Sequence, residues 1–262
     1  MDKMLYSSKS FWSALLLAFA LPFIFVNNVR AENPEQKEIK LALIYTVTTP
    51  ELKADVVREI KHQVGEDVKL LVYEAPEVFQ TIKSEGYVSA ASAAKMIKYY
   101  MSAVEDGADV ILSICSTVED IAYNSQTIAK YTGIPIVLVN EEMCREAVRK
   151  GNRIAVVSTF ETSLSPTRNT LRRVAREMDR NVDIKEVLIE GGFGLESDKL
   201  KSLMVEKISK VANDVDVIIF TQGSMAYCES YIEEKLGKEV LTNPYFSALA
   251  VKRALLEKVC RF

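Results

Sequence analysis

A cysteine that ends an apolar strand just before a helix is placed to do chemistry, and Cys115 has that placement in Ser113-Ile114-Cys115-Ser116-Thr117. A helix N-terminus offers its positive dipole end and free N–H groups, which lower a thiol's pKa and favour thiolate. Glu119 and Asp120 suit the first turn of that helix. The alternative is a small buried hydrophobe with no chemical role. Three more strand ends are polar: Thr46-Val47-Thr48-Thr49-Pro50, Ser158-Thr159-Phe160-Glu161-Thr162-Ser163, and the stretch Phe220–Ala226. Gly223 permits a tight turn or a close ligand approach, and Ser224 can cap the helix that follows. Hydroxyls and N–H groups at such ends suit a carboxylate, although each alone could be a plain cap. Taken together, Thr46, Ser116, Thr117, Asn140, Thr159, Thr162, Ser163, Gly223 and Ser224 are read as an anion pocket around Cys115.

Other chemistries lack their residues. The sole histidine, His62, falls on an early polar helix and reads as surface, so neither a zinc site nor a Ser-His-Asp triad is expected. The net charge is −3 and the basic residues are scattered among acids, which excludes a nucleic-acid footprint. The other cysteines are Cys144, Cys228 and Cys260; at most one disulfide, Cys228 with Cys260, is entertained.

The elements that must hold this pocket are short apolar runs alternating with segments of helical period. Strands are expected at Lys40–Val47, Val68–Glu74, Asp109–Ile114, Pro135–Val139, Arg153–Ser158, Ile184–Ile189, Asp216–Thr221 and Glu239–Leu241. Runs such as VILSI, IVLV, IAVV and VIIF lack period-two alternation, as strands covered on both faces do. Between them lie amphipathic stretches, among them Ser89–Glu105, Ser165–Met178 with its helix opening at Pro166, Leu200–Ala212 and Met225–Leu236. The class is α/β: two Rossmann-like lobes, each a four-stranded parallel sheet flanked by helices, related by pseudo-two-fold symmetry. The lobes are assigned to residues 38–138 plus 242–262, the last helix returning to the first half, and to residues 139–241. Ligands of parallel sheets bind beyond the strands' carboxyl ends, which puts the site in the cleft between the lobes.

Residues 1–31 read as a signal peptide. Lys3 and Lys9 precede an apolar run from Phe11 to Val26, and Val29-Arg30-Ala31 resembles a cleavage site. The mature protein is expected to be exported and periplasmic after cleavage near Ala31, or membrane-anchored if uncleaved. No later segment is long and apolar enough to span a bilayer.

GADVILSICSTVEDIA, IPIVLVNEEM, GNRIAVVSTFETSLSPT and DVIIFTQGSMA, in that order, resemble the aspartate/glutamate/hydantoin racemase superfamily over roughly residues 38–250. The resemblance implies a cofactor-independent enzyme in which two cysteines flank a substrate's α-carbon and move protons on opposite faces. Cys115 matches the first. The second usually sits in a Gly-Cys-Ala-Gly-Met turn, and aligning its methionine with Met225 puts Gln222 in its place. A glutamine amide does not exchange protons near neutral pH. Decarboxylases and isomerases of the superfamily use one decisive cysteine, so the resemblance implies an isomerase or lyase acting on a small carboxylate. In that reading Cys115 is base, acid or nucleophile and Gln222 a hydrogen-bond donor. No cofactor is implied, since a carbanion beside a carboxylate can be stabilised by hydrogen bonds in a dry pocket. Two alternatives stay open: a two-base racemase recruiting Cys228, and a non-catalytic exported small-molecule binding protein. A homo-oligomer is compatible with either.

Overall fold

A strand apolar on both faces needs cover on both. In β1 (Lys40–Tyr45), Leu41, Leu43 and Tyr45 enter one core while Ala42 and Ile44 enter the opposite one. The computed structural model describes residues 38–259. Residues 1–31, read above as a signal peptide, and Cys260 lie outside these residues. After β1 come β2 (Lys69–Glu74), β3 (Val110–Ile114), β4 (Ile136–Leu138), β5 (Arg153–Ser158), β6 (Asp183–Leu188), β7 (Val217–Phe220) and β8 (Val240–Thr242). They form two four-stranded sheets with orders β2-β1-β3-β4 and β6-β5-β7-β8, parallel throughout. β5 repeats the two-sided pattern, with Ala155 and Val157 in one core and Ile154 and Val156 in the other. The edge strands β2 and β6 carry the exposed charges, which blunt a free edge against pairing.

The helices are α1 (Pro50–Val64), α2 (Pro76–Glu85), α3 (Ala90–Glu105), α4 (Glu119–Asn124), α5 (Gln126–Thr132), α6 (Glu141–Lys150), α7 (Glu161–Glu177), α8 (Ser197–Ala212), α9 (Glu229–Leu236) and α10 (Asn243–Val259). Thr49 caps α1, its hydroxyl accepting from Leu52 N–H at 3.2 Å, with Pro50 at the first helical position. Among the described residues no helix is long and apolar enough to cross a membrane. His62 is exposed on α1.

Two expectations need correction. α7 opens at Glu161, upstream of Pro166, which lies buried inside the helix. Near a helix start a proline removes only one backbone bond, and the first turn is held by packing against the turn that follows Cys115. The helices expected after Cys115 and Gln222 begin instead as short 3-10 turns, Ser116–Val118 and Gly223–Cys228, ahead of α4 and α9.

The halves repeat each other closely. Ile44 of β1 pairs with Ser113 of β3, as Val157 of β5 pairs with Phe220 of β7. Below them, Asp109 accepts from Lys40 N–H at 3.0 Å, as Asp216 accepts from Arg153 N–H at 2.9 Å. Two residues past the paired positions stand Thr46 and Cys115 in one sheet, Thr159 and Gln222 in the other. Cys115 and Gln222 each precede a 3-10 turn in extended conformation. The halves clasp reciprocally: α7 packs on the turn after Cys115, while α1 and α10 pack on the turn after Gln222. α10 returns to α1, β3 and β4, and Arg253 on it forms a two-pronged ion pair with Glu142 of α6 at 2.8 and 2.9 Å.

Candidate active site

The carboxyl ends of β1, β3 and β7 meet at a cavity of about 50 Å3, room for only three to five water-sized groups. Its polar lining is Thr46, Cys115, Ser116, Thr117, Ser163, Thr221, Gln222, Gly223, Ser224 and Asn243. Its apolar wall includes Leu52, Ile114, Val139, Phe79, Phe160 and Phe193. The three phenylalanines form a chain, Phe79 to Phe160 at 4.9 Å between ring centroids and Phe160 to Phe193 at 4.6 Å. Phe193 also borders two outer grooves, of about 510 and 250 Å3, so it stands between the cavity and both. It sits in Gly191-Gly192-Phe193-Gly194, where Gly191 and Gly194 adopt positive φ (72° and 82°) that side chains disfavour.

Cys115 is half-buried on the cavity wall. Burial pushes its thiol above the ordinary value; the Thr46 hydroxyl, the N–H groups of Val118 and Thr117 and the Thr117 hydroxyl pull the other way without reversing it. Burial thus works against the thiolate that the sequence suggested. A one-turn 3-10 segment and the six-residue α4 supply too little helix to outweigh desolvation. Cys144 and Cys228 are free thiols with no exposed surface, packed in the cores of the second sheet. Iodoacetamide at neutral pH should modify Cys115 ahead of both, and faster as pH rises. Modification of Cys144 or Cys228 with Cys115 still intact would contradict this accessibility.

Across the cavity, the Gln222 side-chain oxygen accepts from Thr159 N–H at 2.7 Å and Thr159 Oγ1 at 3.0 Å, with Ser158 Oγ at 3.2 Å. These donors on one oxygen fix the amide, so its NH2 group points away from them. No hydrogen bond among the described residues uses that NH2 group. The arrangement mirrors the other half, where the Thr46 hydroxyl lies against Cys115. Thr159 therefore orients Gln222 and borders an outer groove, rather than facing a ligand in the cavity as expected.

Behind the cavity runs a buried polar chain. Glu119 Oε2 accepts from Asn140 Nδ2 at 3.1 Å, and Asn140 Oδ1 accepts from Asn243 Nδ2 at 2.8 Å. Asn140 is fully buried in this chain and is not on the cavity wall, contrary to its expected place. Thr162 also falls outside the lining, in the first turn of α7. Ser163 reaches the cavity, but its hydroxyl is engaged with Thr117 Oγ1 at 2.9 Å, joining the halves. Ser224, Ser116 and Thr46 line the cavity as the sequence suggested. Gly223 has a steric reason: a Cβ there would come within 2.6 Å of Leu52 and 2.8 Å of Asn243 Oδ1.

Glu119 stands in the first turn of α4 as the sequence suggested, yet it is 1% exposed, and among the described residues its Oε1 has no hydrogen-bond partner. Burial pushes its carboxyl up to about 8, with the Asn140 bond opposing. The folded chain thus holds a proton that an unfolded glutamate releases near pH 4.5, and stability falls as pH rises between those values. The slope is up to about 1.4 kcal/mol per pH unit and vanishes above the folded pKa. Urea midpoints at pH 6 and 8 should show the loss, and Glu119→Gln should remove it; an unchanged slope in that variant would contradict the assignment.

Sequence reasoning passed over Thr221, Asn243 and the three phenylalanines. The first two were legible in principle, as polar residues at the ends of β7 and β8. Among the described residues no three His, Cys, Asp or Glu side chains converge as metal ligands.

Comparison with known proteins follows this geometry. The sequence profile of the family Asp/Glu/Hydantoin racemase matches residues 41–243. Among curated proteins none is similar enough in sequence to match. Among solved structures, a glutamate racemase isoform from Bacillus anthracis superposes with TM-score 0.66 at 14% identity, covering 85% of this chain and 83% of that one. A putative Asp/Glu racemase from Yersinia pestis gives 0.63 at 18%, covering 83% and 99%. Allantoin racemase from Klebsiella pneumoniae gives 0.58 at 13%, covering 84% and 88%. At such identities these structures speak for the fold, and the profile match speaks for ancestry. With a match spanning both sheets and every strand end that lines the cavity, the chain belongs to the Asp/Glu/hydantoin racemase family.

Proposed function

We propose that the protein is a cofactor-independent isomerase or lyase that moves a proton at the α-carbon of a small carboxylate, using Cys115 alone. The observation that carries this reading is the symmetry mate of Cys115. The place two residues beyond the register pair in the second half holds Gln222, whose oxygen is pinned by Thr159. A thiol faces the cavity from one side and an amide NH2 from the other. The amide can donate a hydrogen bond to a carboxylate or a developing enolate but cannot take or give a proton. A thiol whose pKa burial raises suits a general acid that delivers its proton to a carbanion on one face. Cys228 does not supply the missing base in this reading, because it is buried in the core and absent from the cavity lining.

Ser224, Thr221 and the Gln222 amide are the donors available for the carboxylate, and the three phenylalanines make the cavity wall apolar. The carboxylate class follows relatives named as a glutamate racemase and a putative Asp/Glu racemase. The localisation belongs to the same proposal: export, with cleavage near Ala31, to be checked on the mature N-terminus.

The test is a panel of small carboxylates, malonates and amino acids included, followed by proton NMR in D2O. Turnover or α-hydrogen exchange that disappears with Cys115→Ala supports the reading. A panel that binds and never reacts would instead favour a binding protein.

A further inference from the structure

Asn243 does not belong to the proton-transfer pair, yet it is 2% exposed and lines the cavity. Which of its two amide atoms faces a ligand can be worked out from the buried chain behind it. Thr167 Oγ1 donates to Ser163 O at 2.9 Å, so toward Asn140, at 3.3 Å, it presents a lone pair. Asn140 must therefore turn Nδ2 toward Thr167, and the same Nδ2 serves Glu119. That leaves Asn140 Oδ1 facing Asn243, which must answer with Nδ2. The same Nδ2 also reaches the Thr221 carbonyl at 3.2 Å, an acceptor only. Both contacts agree, and Asn243 Oδ1 is left on the cavity side, 2.8 Å from where a Cβ of residue 223 would stand. No hydrogen bond among the described residues reaches this oxygen. Beside it, Thr221 lines the cavity, and among the described residues its buried hydroxyl has no hydrogen-bond partner.

We propose that Asn243 is a specificity-determining residue, a fixed acceptor that selects ligands bearing an N–H or O–H donor next to the carboxyl-derived group. This rests on the reading of the cavity as the substrate site. Asn140 is the positioning residue that holds the acceptor outward. A ligand without a donor strips water from Asn243 Oδ1 and gives nothing back; leaving a buried acceptor unpaired weakens binding on the order of ten- to a hundredfold. The Gln222 NH2 group on the neighbouring turn supplies the complementary donor. The cavity thus reads both polarities, and its glycine at 223 keeps the acceptor uncovered.

The experiment uses two matched pairs of small probes, lactate with propionate and lactamide with propanamide, titrated calorimetrically into the full chain. In each pair the only difference is the 2-hydroxyl. The expected result is at least tenfold tighter binding of the hydroxylated member, a ratio falling to about one in Asn243→Leu and reduced in Asn140→Leu, which touches no ligand. Equal affinities within the pairs in wild type would overturn the inference and leave the carboxylate reading standing; this arm needs no variant to fold. A hydroxyl preference among the amides, with neither acid binding, would sink the carboxylate reading and keep the inference. A ratio that survives Asn243→Leu would overturn the role of Asn243, and one unchanged in Asn140→Leu the positioning role of Asn140.

Discussion

Replacing Cys115 by alanine should lower turnover by about a hundred- to ten-thousandfold, the usual worth of a placed general acid or base. The fold should be nearly unaffected, because Cys115 caps a short turn at a cavity wall and is not deep in a core. Cys228→Ala should do the reverse. That thiol is packed with Met225, Ile232 and Val240, so its loss leaves a small void, costing about 1 kcal/mol, while the chemistry continues. Steady-state rates and urea midpoints on both variants separate the two effects. Comparable loss of turnover in both would mean that Cys228 takes part.

Gln222→Cys is the change expected to create an activity. The substitution places a thiol where the symmetry mate of Cys115 stands, with Thr159 N–H and Oγ1 already aimed at the new side chain. Donors there would favour a thiolate, as the Thr46 hydroxyl opposes the upward shift at Cys115. With a proton-transfer group on each face, the variant should interconvert enantiomers of a small α-substituted carboxylate that fits the cavity, where wild type does not. Chiral chromatography after prolonged incubation reads this directly. The sign would be wrong if wild type racemised the same compound and the variant did not.

How much of this was legible depended on how local the cause was. The strands β1, β3, β5 and β7 were, because burial on both faces leaves runs such as VILSI and IAVV that need no partner to be recognised. The position of Gln222 was legible through its spacing from Met225, but its orientation was not, since it is set by Thr159 from a strand 63 residues away. The electrostatic balance at Cys115 is equally non-local. The local rule reads a thiol before a helix as acidic, whereas the winning effect is desolvation by a wall assembled from both halves. Glu119 likewise fits a first turn by sequence and ends buried because α7 covers that turn. Asn140 and Asn243 become intelligible only together, at a separation of 103 residues.

The central claim is that protons move on one face only. The measurement that tests it most directly is turnover of an α-substituted small carboxylate by wild-type protein in D2O, with deuterium content and configuration of the product determined together. The account predicts one deuterium at the α-carbon in a single configuration, with none incorporated by Cys115→Ala. Deuterium delivered to both faces by the wild-type chain would contradict it, since Gln222 has no proton to give.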